Sequence, residues 1–319
     1  MSQEHDLFGR LRLAYLALRV SDLGEWKRFA SEMLGVPDPA VRSDGALAYR
    51  LDDKVHRFVL RKADSDDVDA LGWEVDSEQD FKAVLARAEQ AGAHPVSGNE
   101  DEAKARHVAR LAHFEGPDGV RNELVMGLQS APTAFQSTLV PGGFRTGAMG
   151  LGHAVLVASD AQAAGRFYRE VLGMRLSQDM AVRIGPFDIK GVFLHCNPRH
   201  HSLALFELPC KTRLQHVMIE ANEFRDVGVA WERARRLGIP ITLSLGQHPE
   251  PDCMVSFYGM TPSGFEFEIG ADGKLIDGAH FQPITLHKTS DWGHHPTLRA
   301  KWNLISAAVS AKFRRPSVA

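Results

Sequence analysis

The sequence is poor in cysteine and lacks a long apolar run. Its three cysteines, Cys196, Cys210 and Cys253, are too few and too scattered for a disulfide framework or a CxxC metal site, which favours a reducing compartment. No apolar run approaches the roughly 18 residues that a membrane span needs, and no signal-peptide pattern comes before the first apolar segment. We therefore expect a cytoplasmic protein without a membrane partner.

A strong net charge and nucleotide-binding loops are also missing. The 37 Lys and Arg residues nearly balance the 40 Asp and Glu residues, and the basic stretch at 312–315 fits a solvated chain end. This balance gives no general attraction to nucleic acid. Because neither a GxGxxG loop nor a P-loop pattern occurs, a nucleotide-dependent activity is not expected. The 44% hydrophobic and 24% charged content is typical of a globular protein.

What the chain does contain is an internal repeat. Residues 13–35 recur as residues 151–173 at an offset of 138, and residues 116–125 recur as 261–270 at an offset of 145. Duplicated halves need the same residues for folding but not for chemistry. Differences between the two copies therefore point at function.

Each half contains the pattern of two β-α-β-β-β units. Residues 152–158 alternate as a strand requires, Asp160 can cap the following helix, and Gly173 can end it. We therefore predict an α+β protein with four such units paired into two domains. The predicted boundaries are a structural domain at 1–135 without metal, a catalytic metal-binding domain at 136–285, and a C-terminal arm and tail at 286–319.

Three residues of the second half could form a metal site. His153 and His216 lie on predicted strands, where the first copy has Tyr15 and Ala70. A lone histidine on a strand is more often a hydrogen-bonded, half-buried residue than a ligand. Folding alone does not require a histidine at either place, however, because the first copy has other residues there. With a carboxylate on a third strand they would form the two-histidine, one-carboxylate facial triad of non-haem Fe(II) oxygenases, which leaves coordination positions open.

The carboxylate could be Glu266 or Glu268, because strand alternation puts both on one face. The repeat distinguishes them. Glu266 falls on Arg121 of the first copy, whereas Glu268 falls on Glu123. A ligand inherited from a common ancestor should be acidic in both copies, so the repeat favours Glu268.

These residues lie in segments that resemble a known family. His216 and the runs 193–201 (FLHCNPRHH), 254–258 (MVSFY) and 262–268 (PSGFEFE) are similar to the type I extradiol catechol dioxygenases of the vicinal-oxygen-chelate superfamily, notably the 2,3-dihydroxybiphenyl 1,2-dioxygenase branch. The resemblance covers roughly residues 10–300. It implies the glyoxalase–dioxygenase fold, with Fe(II) held by His153, His216 and Glu268. Manganese is the alternative metal, because the same ligands suit both.

The resemblance also implies an activity and a set of supporting residues. The activity is ring cleavage of a catechol by O2 beside the two hydroxyls, on a bulky 3-substituted or bicyclic catechol such as 2,3-dihydroxybiphenyl, by a homo-oligomer. His201 would be the acid/base residue with His200 beside it, and Tyr258 would hydrogen-bond the substrate. His248 would be the second supporting histidine, although it precedes Tyr258 by ten residues where the family has nine. The expected apolar walls of the pocket are Phe187, Met180 and Met174.

Two other functions are compatible with the same fold. One is a glyoxalase-like, metal-dependent isomerase or epimerase, which typically assembles four protein ligands. Only three converge in this sequence. The other is a non-catalytic protein that binds small molecules, and such a protein would not need His153 and His216 in place of Tyr15 and Ala70.

Overall fold

The protein is described by a computed structural model that covers residues 6–184, 187–278 and 280–298, without the side chains of 184–188. Within these residues the chain forms two β-sheets, one from each half. The strands of the first sheet are β1 (Leu11–Val20), β2 (Ala40–Val41), β3 (Leu47–Tyr49), β4 (Phe58–Lys62), β5 (Asp67–Val75), β6 (Val96–Ser97), β7 (Arg110–Glu115) and β8 (Arg121–Met126). Its helices are α1 (Leu23–Arg28, continued by one π-helical segment, Phe29–Leu34), α2 (Glu78–Gln90) and α3 (Glu100–Ala105).

The second half repeats this arrangement and adds one edge strand. Its strands are β9 (His153–Val157), β10 (Arg175–Ile184), β11 (Phe187–His195), β12 (Leu203–Phe206), β13 (Leu214–Glu220), β14 (Ile241–Gln247), β15 (Val255–Met260), β16 (Glu266–Ala271) and β17 (Ile284–Leu286). Its helices are α4 (Ala161–Leu172) and α5 (Phe224–Arg236). Short 3-10 turns lie before β8, at Pro117–Gly119, and before β9, at Gly147–Met149. The strand orders are β2-β3-β4-β1-β5-β8-β7-β6 and β14-β15-β16-β13-β9-β12-β11-β10-β17. The predicted α+β class and the four β-α-β-β-β units are confirmed.

The helices begin and end at the positions that the repeat indicated. The Asp22 side chain accepts hydrogen bonds from the first turn of α1, and the Asp160 side chain accepts one from Ala163 N in α4. Gly35 and Gly173 follow the helices at φ 67° and 65°, a left-handed conformation that glycine adopts without steric cost. No helix in the described part of the chain is long and apolar enough to cross a lipid bilayer.

Each central strand of the second sheet has one face in the core and one face away from it. Val217 and Ile219 of β13 belong to the main hydrophobic core, as do Phe267 and Ile269 of β16 and Ala154 and Leu156 of β9. Side chains at the intervening positions lie on the other face, because the side-chain period of a strand is two residues. That other face carries all three candidate metal ligands.

The segment between the halves is held by a buried ion pair. Glu220, at the end of β13, binds the guanidinium of Arg199 through one carboxylate oxygen. The other oxygen of Glu220 lies 3.2 Å from Nη1 of Arg145, which belongs to the connecting segment. Arg199 and Glu220 are almost wholly buried. The last strand, β17, lies across the predicted boundary after residue 285 and pairs with β10.

We expect Glu220→Ala to lower the free energy of unfolding by about 3–5 kcal/mol, because it leaves a buried guanidinium without its counter-charge. Urea unfolding followed by circular dichroism measures this. Glu170→Ala, on the exposed face of α4, is the control and should change stability by less than about 0.5 kcal/mol. Equal, small losses in both variants would show that the ion pair contributes little.

Candidate metal and catalytic site

The three predicted ligands meet at one point of the second sheet. His153 opens β9, His216 lies in β13 and Glu268 lies in β16, three strands that are adjacent in the sheet. The two imidazole Nε2 atoms lie 3.1 Å apart, and Glu268 Oε2 lies 3.2 Å from that of His153 and 3.3 Å from that of His216. All three side chains are buried. Three potential donor atoms therefore converge within the space of a single ion.

The orientation of His216 is fixed by its neighbour in the chain. His216 Nδ1 donates a hydrogen bond to Gln215 Oε1, and Gln215 Nε2 donates to Glu266 Oε2 over 2.9 Å. Gln215 reaches this position because β13 has a register shift against β9 between Leu214 and His216, and such bulges re-aim side chains. With the proton on Nδ1, the Nε2 lone pair of His216 is free to bind a metal. Glu266 thus supports a ligand and is not one itself.

The charge of Glu268 requires a partner. Both carboxylate oxygens are buried, and the imidazole Nε2 atoms of His153, His216 and His248 lie 3.2, 3.3 and 3.5 Å from them. Burial would raise the pKa of Glu268, but these imidazoles outweigh it and hold that pKa well below its usual range. An ionised, buried carboxylate is costly unless positive charge lies beside it, and a metal ion held by the same imidazoles would supply that charge.

His153 supplies a neutral nitrogen to the same point. Burial lowers its pKa to about 4, although Glu268 opposes the shift. Two imidazole nitrogens and one carboxylate suit a divalent transition metal and leave further coordination positions for small molecules. The residues present therefore fit a metal ion.

A second buried cluster lies beside the first. His200 Nδ1 and His201 Nδ1 are 3.0 Å apart, and Asp252 Oδ2 lies 3.9 Å from His200 Nδ1. One of the two Nδ1 atoms must carry a proton for this hydrogen bond, which leaves it without a lone pair for a metal. Burial raises the pKa of Asp252 and lowers those of both histidines, so it disfavours charge on each member of the cluster. The cluster is therefore a weaker metal site than the first.

His201 packs directly against one of the ligands. Its ring centroid lies 3.9 Å from that of His153, with 31° between the ring planes. Burial and the neighbouring His153 keep the pKa of His201 well below 6.5. A neutral imidazole in contact with a ligand is able to accept a proton from a molecule bound at the metal.

Tyr258 and His248 also lie beside the ligands. His248 Nε2 is 2.9 Å from the Tyr258 hydroxyl and 3.5 Å from Glu268 Oε1. Burial alone would lower the pKa of His248, but Glu268 raises it to about 9. The loop at 249–253, in which the surplus residue lies, is closed by a hydrogen bond of 2.9 Å from His248 N to Met254 O.

These groups line a cavity of about 190 Å³ that opens to solvent. His153, His216, His200, His201, His248 and Tyr258 all face it, and its apolar walls include Val155, Met180, Ile189, Phe193, Phe206 and Leu243. Met174 lies in the hydrophobic core instead and is not part of the walls. Phe187 opens β11, but its side chain lies outside the described residues.

The equivalent place in the first half is closed. Tyr15 Oη donates to Glu123 Oε2 over 2.7 Å, and the Arg106 guanidinium binds both oxygens of Glu123 at 2.8 and 2.9 Å. The Tyr15 ring lies against Gly72, where an added Cβ would approach the ring to 2.4 Å. In the second half His153 takes the place of Tyr15, and its cross-strand partner is Met218, whereas the partner of Tyr15 is Gly72. Arg106 therefore gives Glu123 a permanent positive charge, whereas Glu268 has imidazoles at this place.

Some supporting residues could not be recognised in the sequence. Gln215 lies next to a predicted ligand, but regular strand alternation would have put it on the opposite face. Asp252 lies in the loop that differs in length from the family pattern.

Comparison with known proteins gives consistent matches over most of the chain. Residues 150–269 match the model of the Glyoxalase/Bleomycin resistance protein/Dioxygenase superfamily, and residues 13–62 match that of Dihydroxybiphenyl dioxygenase BphC D1. The chain is 35% identical over 287 residues to a biphenyl-2,3-diol 1,2-dioxygenase of Paraburkholderia xenovorans, covering 88% of this chain and 94% of that protein. It is 34% identical over 291 residues to an iron-dependent extradiol dioxygenase of Rhodococcus jostii, covering 88% and 96%.

A solved structure agrees with these matches. The crystal structure of BphC, a halotolerant catechol dioxygenase, superimposes with a TM-score of 0.83 at 35% identity. The superposition covers 91% of this chain and 95% of that one. The similarity therefore includes both halves of the chain.

We expect His153→Ala to abolish stoichiometric binding of a divalent metal, because it removes one of three ligands. Tyr15→Phe, the matched change in the first half, should leave metal binding intact and cost about 1–3 kcal/mol of stability through the lost donor to buried Glu123. Anaerobic metal analysis and urea unfolding measure the two effects. Full metal content in His153→Ala would contradict the assignment of this ligand.

Proposed function

The chain belongs to the extradiol dioxygenases of the glyoxalase/bleomycin resistance protein/dioxygenase superfamily, and on this basis we propose its metal, its substrate and the roles of its residues. The resemblance that the sequence indicated is confirmed. The proposed ligands of iron(II) are His153, His216 and Glu268. The proposed substrate is a bulky 3-substituted or bicyclic catechol such as 2,3-dihydroxybiphenyl.

The observation that carries this proposal is the convergence of two imidazole nitrogens and one buried carboxylate oxygen within 3.1–3.3 Å of one another. When bound, iron(II) would favour the deprotonated form of a coordinated catechol and supply the redox chemistry with O2. The iron-dependent relative supports iron over manganese. The protein's own part is to orient the catechol, exclude water and move one proton.

We propose that His201 takes the proton of one catechol hydroxyl. It is neutral, lines the cavity and lies against His153, so a hydroxyl held at the metal would be within its reach. We propose that His201 Nδ1 carries the ring proton and donates a hydrogen bond to His200 Nδ1, 3.0 Å away, because Nε2 then has the lone pair that accepts the substrate proton. The same atom could return the proton to an oxygen as the ring opens.

Tyr258 is proposed to donate a hydrogen bond to a substrate oxygen. Burial and the nearby Glu268 carboxylate raise the pKa of its hydroxyl well above 10, so the group stays protonated and can donate. His248, 2.9 Å away, holds the hydroxyl in place and is proposed as a second proton-handling residue. His200 supports His201 from behind.

The cavity walls support an apolar second ring on the substrate. Met180, Ile189, Phe193, Phe206 and Leu243 surround the space beside the proposed ligands, and apolar walls with a few oriented polar groups are typical of a small-molecule site. Phe187 stays a proposed wall residue. The biphenyl-2,3-diol activity of a 35% identical relative agrees with this preference. The homo-oligomeric state and the cytoplasmic location stay predictions.

We expect protein loaded anaerobically with Fe(II) to consume O2 and form a yellow ring-opened product from 2,3-dihydroxybiphenyl and 3-methylcatechol. The kcat/KM for 2,3-dihydroxybiphenyl should be roughly tenfold or more above that for catechol, because its second ring buries apolar area. Resorcinol, whose hydroxyls are not adjacent, is the control and should give no product. Absence of product from every adjacent diol would contradict the proposal.

His201→Ala should retain iron and lower kcat by about 10²- to 10⁴-fold, the range that general acid–base residues contribute. Oxygen-electrode assays and iron analysis on the same sample measure both quantities. His280→Ala, at an exposed histidine paired with Asp277, should change neither. Loss of iron in His201→Ala would identify it as a ligand, and unchanged kcat would exclude the acid–base role.

A further inference from the structure

A segment that belongs to neither repeat lies against the site. This terminal segment, residues 284–297, begins with β17 on the edge of the second sheet and then runs along β14. Backbone bridges join Leu243 to Pro296 and Gln247 to Trp292. Leu286, Lys288 and Thr289 of the segment line the cavity. The pocket is therefore completed by chain that the repeated fold does not supply.

The terminal segment fixes one ring nitrogen of His248. His248 Nδ1 lies 2.8 Å from the carbonyl oxygen of Thr289. A carbonyl oxygen can only accept a hydrogen bond, so Nδ1 carries a ring proton and is the donor of this hydrogen bond. The Nε2 atom is thereby the one that faces Tyr258 and Glu268.

His294 fixes the plane of the same ring. Its ring centroid lies 4.4 Å from that of His248, with 41° between the planes, and 5.7 Å from that of Tyr258 at 81°. His294 is itself held at both nitrogens, with Nδ1 2.8 Å from Ser290 Oγ and Nε2 3.1 Å from Ser256 O. It is buried but does not line the cavity. Any effect of His294 on the substrate must therefore pass through a neighbouring side chain.

The backbone around His294 is built for this close approach. Gly246 and Gly293 face each other, and a Cβ on Gly246 would come within 2.3 Å of His294 N. His294 adopts φ 47°, a left-handed conformation that is uncommon outside glycine and in which asparagine, aspartate and histidine are enriched. Burial and the neighbouring His248 lower the pKa of His294 to about 4, so its ring is neutral. The neutral ring can pack against His248 without charge repulsion.

We propose that His294 is a positioning residue that acts through His248. The inference rests on the proposed role of His248 in proton handling. The His294 ring and the Thr289 carbonyl together hold the His248 imidazole with Nε2 toward Tyr258 and the substrate oxygen. Without the ring, His248 gains rotational freedom, and fewer molecules have it in the productive orientation.

The test is a double-mutant cycle on the iron-loaded enzyme with 2,3-dihydroxybiphenyl. His294→Asn removes the ring but tolerates the left-handed backbone, and it should lower kcat about three- to tenfold with iron content unchanged. Ser290→Ala, which only loosens the ring, should give a smaller loss in the same direction. In a His248→Ala background neither change should lower kcat further, because coupled residues are non-additive.

His295→Asn is the matched control, since His295 is adjacent and exposed and contacts Ser244 only through its backbone. It should leave kcat unchanged. Equal losses from His294→Asn with and without His248 would overturn the positioning role alone, as would unchanged kcat in His294→Asn. Unchanged kcat in His248→Ala would overturn the proposed role of His248 and the positioning role with it. Thermal unfolding of each variant separates these results from misfolding.

Discussion

A buried carboxylate needs a positive charge, and the two halves of this chain meet that need differently. Glu123 in the first half is bound by Arg106 through two hydrogen bonds, and Tyr15 donates a third. Glu268 in the second half has the imidazoles of His153, His216 and His248 within 3.2–3.5 Å and no arginine among its ion-pair partners in the described residues. The cost of burying a charge suits the second arrangement to the proposed metal ion and makes the first a closed, self-sufficient contact.

The rest of the site follows from where this carboxylate lies. Adjacent strands bring His153 and His216 to it, and the register shift at Gln215 aims that side chain at His216. Beyond the ligands, His201 stacks on His153, and Tyr258 lies on the strand paired with that of Glu268. The proposed acid–base, hydrogen-bonding and ligand groups are therefore separate residues, each with its protonation set by burial or by its neighbours.

The sequence was sufficient to predict the fold and the convergent ligands for a physical reason. Strand alternation and the helix caps are local signals, and the duplication supplied the comparison that selected Glu268 over Glu266. The contacts of Gln215, Asp252 and His294 were not predictable in this way. They depend on a bulge, on a loop of unusual length and on a segment outside the repeat, and each joins residues whose spacing carries no period. The prediction that Met174 lines the pocket was wrong, because an apolar residue at a helix end packs equally well into a core or a pocket wall.

The arginine in the first half also has a consequence for the stability of the molecule. Arg106 is part of the chain, so the charge of Glu123 is balanced whenever the first half is folded. The metal proposed for the second half would bind only the folded form, and such a ligand adds RT ln(1 + [M]/Kd) to stability. Stability around the proposed ligands would therefore vary with the metal supply, whereas the charge balance at Glu123 would not. Resistance to unfolding should then fall when metal is scarce, and it should fall more around Glu268 than around Glu123.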